Sequence, residues 1–271
     1  MSVKKEPSGR RSVQVEVEVP GTPEEVWQAI ASGPGISAWF VPTELEGKVG
    51  GKLACDFGGG MVSSAEITEW QPPHRFVARD PSWLPGGPPV ATEWTVEAKA
   101  GGTSIVRVVH SLFADTDDWD NQLTGTETGW PGYFKVLAHY LEHHAGEAAA
   151  SFVGMAPAGR PSAEAWAVLL RALGTGELVV GRELRLVPPP GAAVIRGVVQ
   201  SVDHQQQGIG ATLHVTAPAP GVFMLYAMEC MGMQMVTLQA FYYGDRAADA
   251  AADKESWTAW LAGLFPAPAS T

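Results

Sequence analysis

The chain has 271 residues, 45% of them apolar and 17% charged, with a formal net charge of −11. Such a composition belongs to a folded chain with one large core or two ordinary ones, and excludes a disordered one. The acidic balance disfavours nucleic-acid backbones and anionic membrane surfaces, and no apolar run reaches the roughly 18 residues of a membrane span.

From the N-terminus, Met1 to Arg11 is basic with no apolar stretch behind it, so residues 1–12 read as a disordered lead-in and not as a secretory signal. Val13 to Val19 then alternates valine with polar residues, the period of a half-buried strand. Thr22 is placed to cap a helix, with Pro23 at its first position, two glutamates in its first turn, and Val26, Trp27 and Ile30 at helical spacing. Gly33-Pro34-Gly35 ends that helix, and 36–40 reads as a short second helical turn. Strands are predicted near 43–46, 52–57, 61–69, 75–79, 91–99 and 103–113, separated by Gly- and Pro-rich turns. Connections of hairpin length imply an antiparallel meander, because parallel strands need long crossovers. Residues 115–129 read as a polar loop, and Trp130, Phe134, Leu137, Ala138 and Leu141 mark one face of a helix over 130–144.

The rest of the chain follows a similar order. Glu164 and Trp166 stand where Glu25 and Trp27 stand in the first helix. Strands are predicted at 178–187, 193–202, 210–216, 221–228 and 234–243, and a last helix at 253–265. This predicts domains at 13–146 and 147–271, the second either a degenerate copy of the first or an unrelated α+β domain with a Trp-anchored helix. The fold class expected is α+β: a curved antiparallel sheet wrapped around a long C-terminal helix, in tandem if the second domain is a copy.

The first domain resembles a known family through the helix start Pro23–Trp27, the pair Trp39-Phe40, the turn Gly50-Gly51 into a strand, and the run Ile67–Phe76. These are similar to the START-like SRPBCC superfamily, and within it to the domain shared with the activator of the heat-shock-90 ATPase. The resemblance covers residues 13–146 and implies a helix-grip fold with an apolar cavity between sheet and helix. It also implies a range of roles, from lipid carriers through polyketide cyclases and aromatases to co-chaperones, among which fold alone does not choose.

Ligand-cavity candidates are Trp39, Phe57, Trp83, Trp94, His110, Phe113, Trp130 and Phe134, a dense aromatic set for one domain, with Asp56 and Arg79 as polar candidates. His110 shares a strand face with Val106 and Val108, so it is either a cavity anchor or a locally bonded histidine. His139 and His143 are spaced i, i+4 without a clear third metal ligand. Asp115, Asp117, Asp118 and Asp120 lack the glycine and terminal glutamate of a calcium loop. Met224, Met228, Met231, Met233 and Met235 form a soft cluster in the second half, either core or a partner face. Cys55 and Cys230 match no metal or redox spacing, which suits a reducing, cytoplasmic setting.

No metal and no cofactor is expected, and no catalytic constellation is complete. The reading that follows is a module binding a hydrophobic small molecule or a protein partner, with no nucleic-acid or membrane partner. The alternatives are a cyclase- or aromatase-like enzyme and a co-chaperone acting on a heat-shock-90 ATPase.

Overall fold

The computed structural model describes residues 3–58, 60–81, 87–114, 116–205, 208–230 and 232–266. The chain divides into two units, Met1–Ala148 and Ala149–Thr271. The first holds β1 (Lys4–Lys5), β2 (Arg10–Pro20), α1 (Pro23–Ile30), α2 (Gly33–Ser37), β3 (Thr43–Leu45), β4 (Lys52–Asp56), β5 (Val62–Gln71), β6 (Arg75–Asp80), β7 (Val90–Lys99), β8 (Thr103–Phe113) and α3 (Asp120–His143). Its eight strands run β1-β2-β8-β7-β6-β5-β4-β3, all antiparallel. The meander closes by returning β8 to the first long strand, with Val13 opposite His110 and Val19 opposite Ser104.

Alternation decides which residues enter the core. On β8, Val106, Val108, His110 and Leu112 are buried while Arg107 lies half-exposed on the opposite face. On β6 the inward set is Phe76, Ala78 and Asp80, and Arg79 points out. Trp27 of α1 is buried against the rings of Trp70 and Phe76. At the turn before β4, Gly50 has φ +76, and a Cβ at Gly51 would stand 2.1 Å from the Glu46 carbonyl oxygen, so larger residues do not fit.

Helix α1 starts on a full capping box. Thr22 Oγ1 accepts from the Glu25 N–H, and Glu25 Oε2 accepts from the Thr22 N–H at 2.8 Å. Thr22→Ala is expected to lower the stability of this unit by about 1 kcal/mol, measured as a shifted urea midpoint at unchanged slope.

Two stretches differ from the sequence reading. The lead-in expected over 1–12 is, from Lys4, a hairpin: β1 pairs with Arg11 and Ser12. It is held by Arg11, whose Nη1 lies 2.7 Å from Asp120 and whose Nη2 lies 2.8 Å from Asp117, with Lys5 Nζ on both carboxylates. These long-range ion pairs leave no local signal in sequence. The loop expected over 115–129 is helical from Asp120, because Leu123 and Glu127 continue the buried stripe of Trp130, Phe134 and Leu137. Tertiary burial there overrides a run of Gly and Thr with poor helix propensity.

The second unit holds β9 (Ala150–Pro157), α4 (Ser162–Ala172), β10 (Glu183–Leu186), β11 (Ile195–Gln205), β12 (Gly208–Ala217), β13 (Gly221–Cys230), β14 (Met233–Tyr242), α5 (Ala247–Ala251) and α6 (Lys254–Leu264). Its sheet runs β10-β11-β12-β13-β14-β9, so here too the last strand returns beside the first. Trp166, Leu169, Phe223, Leu225, Leu238, Trp257 and Leu261 share its core. Strand β9 had no counterpart among the predicted strands, because its inward positions include only Phe152, Gly154 and Ala156, a weak apolar alternation. Met224 is buried and Met233 is 56% exposed, so the methionines do not form one surface. Met231 lies outside the described residues. Both units are α+β, each a meandering antiparallel sheet with helices before and after the meander.

Candidate functional site

The site is the interior between the first sheet and α3. From the pairing registers, β4, β6 and β8 end where β2, β5 and β7 begin, and α3 departs from that same end. Inward-facing polar side chains collect there. His110 stands opposite Thr92 across β7 and β8, and Ser63 Oγ donates to Asp80 Oδ2 at 3.0 Å. Glu127, 8% exposed, lies on the sheet-facing stripe of α3 one turn before Trp130.

His110 is 8% exposed and engaged at both ring nitrogens. The indole N–H of Trp130 donates to Nε2 at 2.7 Å, and Nδ1 lies 3.0 Å from Thr92 Oγ1. An indole only donates, so Nε2 carries the lone pair and Nδ1 the proton of a neutral imidazole. Burial agrees with this, holding the His110 pKa down at about 4.

Around this pair the rings touch in series. Trp94 meets Trp130 edge-on at 5.0 Å and Trp39 at 6.2 Å, and Trp130 stacks on Phe134 at 5.5 Å. Phe40 stacks on Trp130 at 5.0 Å and meets Tyr133 at 4.6 Å and Phe57 at 5.7 Å. Trp39, Trp94, Trp130 and Phe134 are buried, whereas Phe40, Phe57 and Tyr133 are half-buried. The cluster therefore has a dry interior and a partly wet rim.

The structure brings together Trp39, Phe57, Trp94, His110, Trp130 and Phe134 from the sequence candidates. It does not bring in the others. Phe113 is 62% exposed, one residue out of phase with His110 and Leu112 on β8. Asp56 is exposed and accepts from the Gly58 N–H at 2.8 Å, a turn bond. Arg79 is exposed on the outward face of β6, where its neighbour Asp80 is the inward residue. Trp83 lies outside the described residues. Strict alternation would have exchanged Arg79 for Asp80 and dropped Phe113. Thr92, Phe40 and Tyr133 were missed for want of a register, and Glu127 because its segment read as a loop.

The remaining reactive groups lie elsewhere. Burial pushes the Cys55 thiol pKa up, opposed by the hydrogen bond that Thr43 Oγ1 donates to its Sγ at 3.6 Å. Asp117 and Asp120 are ion-paired with Lys5 and Arg11. His139, His143 and His144 are ring neighbours at the C-terminal end of α3, with His139 and His143 4.8 Å apart. Among the described residues no group of three or more His, Cys, Asp or Glu is placed to hold a metal ion.

Residues 20–142 match the family described as activator of Hsp90 ATPase homolog 1-like protein. The match lies wholly within the first unit. Among solved structures, this chain is similar to the Aha1 dimer from Colwellia psychrerythraea at 20% identity, covering 50% of this chain and 98% of that one, with a TM-score of 0.41. It is similar to DynU16 from the dynemicin biosynthetic locus at 20% identity, covering 93% and 96%, with a TM-score of 0.43. It is also similar to the di-domain ARO/CYC BexL from the BE-7585A biosynthetic pathway at 13% identity, covering 95% and 99%, with a TM-score of 0.45. No curated protein matches the sequence. No helix of the described residues is long and apolar enough to cross a membrane.

Proposed function

We propose that the Hsp90-activator-like domain is a non-catalytic binding module for a flat, apolar small molecule. The molecule would be held at the end of the interior where the aromatic cluster meets His110. One observation carries this reading: the ring contacts continue from the buried Trp39, Trp94 and Trp130 to the half-buried Phe40, Phe57 and Tyr133. A flat ring stacked on such a rim gains roughly 0.5–1.5 kcal/mol per aromatic pair beyond its area burial. Ser63, Asp80, Thr92 and His110 are the polar groups that would orient it.

A binding role is favoured over a cyclase-type reaction because His110 is neutral and its Nε2 is occupied by the Trp130 N–H. It could take a proton from a substrate only after Trp130 withdraws. The family description supplies a second reading, regulation of a heat-shock-90 ATPase, which would use the exterior. On the outward face of β2, β7 and β8 the exposed Glu16, Glu18 and Glu97 pair with Arg107 and Lys99, giving a surface of mixed charge. Residues 147–271 are read as a degenerate second copy, since β9 lies beside β14 as β2 lies beside β8. The cysteine pattern favours a cytoplasmic setting.

Native mass spectrometry of the purified protein, followed by titration with naphthalene and anthraquinone probes, tests the reading. A stoichiometric co-purifying molecule or saturable probe binding is expected, with Phe57→Ala weakening the probe about tenfold, or about 1.4 kcal/mol. An empty protein that binds neither probe would sink it, and stimulation of a heat-shock-90 ATPase by the same sample would then establish the second reading.

A further inference from the structure

Helix α3 is built from two unlike halves. Residues 130–143 bury Trp130, Phe134, Val136, Leu137, His139 and Tyr140, whereas residues 120–129 bury only Leu123 and Glu127. The first half also has the poorer helix-forming sequence: Gly125, Gly129 and three threonines, with Pro131 just beyond Trp130. The threonine hydroxyls bond back to backbone carbonyls, Thr124 to Asp120 at 2.9 Å and Thr126 to Gln122 at 3.0 Å. Such back-bonding competes with the helical ladder, and Pro131 brings no N–H to it.

Packing does not demand these glycines. A Cβ at Gly125 or at Gly129 would meet nothing within 4 Å. Trp119, at the helix start, provides no side-chain cap. What holds the segment down is a set of tertiary contacts near its beginning. Asp120 is clasped by Arg11 at 2.7 Å and Lys5 at 2.8 Å, and Leu123 seats on Val13, Val90 and Leu112. Those three apolar residues flank His110 on the inner face of the sheet, with Val13 directly across from it.

We propose that residues 120–129 form a gate over the polar end of the interior, latched at Asp120 and hinged at Gly129–Gly132. Lifting it uncovers Leu112 and Val13 and turns Trp130, which lies within the hinge, so that its N–H leaves His110, while α3 beyond Gly132 stays anchored by Phe134, Leu137 and Tyr140. A helix with little buried surface and weak propensity is the part of a fold that opens by local unfolding. The gate rests on the binding reading above in one respect: it is the route by which the flat apolar ligand reaches His110.

The test is the double variant Gly125→Ala/Gly129→Ala, which adds two methyl groups in open space. Each exchange is worth a factor of about 5 in helix stability, so amides 123–129 should exchange with solvent about 25-fold more slowly. The Trp130 indole N–H, followed by NMR, should slow in step. The association rate of the naphthalene probe should fall by a similar factor with its equilibrium affinity little changed. Asp120→Asn, which weakens the latch, should move all three rates the other way. Slower amide exchange with an unmoved indole N–H would overturn the gate, and so would an unchanged probe association rate. If no probe binds at all, the binding reading fails, and the indole exchange alone decides whether the gate exists.

Discussion

Trp39→Ala should lower the stability of the first unit by about 3–5 kcal/mol, the range for emptying a large aromatic from a packed core. The side chain is 1% exposed, and its Nε1–H donates to the Ala29 carbonyl at 2.9 Å. Its ring meets Phe40 and Trp130 as well as Trp94. Truncation therefore opens a cavity at the centre of the ring series and leaves the Ala29 carbonyl without its partner. Trp39→Phe keeps most of the ring contact and loses the N–H, so about 1–2 kcal/mol is expected there. Urea titration followed by circular dichroism measures both. A loss below about 1 kcal/mol for the alanine variant would mean that the rings do not form one packed cluster.

The second large effect is a pH dependence set by His110. Its pKa is lowered from 6.5 to about 4 by burial, so the folded protein keeps the imidazole neutral where the unfolded chain protonates it. The unfolded state then binds more protons, and stability must fall as pH falls. The contribution is complete above about pH 6.5 and is lost progressively towards pH 4. By about pH 5 the loss should be about 2 kcal/mol relative to neutral pH. His110→Gln can still accept from Trp130 and donate to Thr92, but does not titrate. Thermal melts of both proteins between about pH 7.5 and 5 should diverge as the pH drops, the variant changing less. Parallel profiles would show that His110 is not held neutral in the fold, and that the Trp130–His110 bond does not persist.

Much of the first domain could be read from the chain before folding. Its six meander strands lie within one or two residues of their predicted positions because turn formers punctuate them and each strand shows its own alternation. The start of α1 was legible for the same local reason, since a capping box is written in four consecutive residues. Most of the aromatic cluster was also legible as a set, Trp39, Trp94, Trp130 and Phe134 among them.

The polar half of the site was not. Asp80 and Arg79 are neighbours, and only the strand register decides which of them faces inward. The partners of His110 come from a neighbouring strand and from a helix 20 residues further on, and no spacing rule joins them. The N-terminal hairpin and the first half of α3 are stabilised by one another through Arg11 and Asp120, a contact 109 residues apart in sequence. Local propensity therefore misread both segments, as lead-in and as loop. The sequence by itself determined the elements whose stability is local: capped helix, alternating strands and turns. The tertiary structure alone decided the neutral state of His110 and the helical state of residues 120–129, because both depend on burial and charge pairing that exist only once the distant strands and α3 have met.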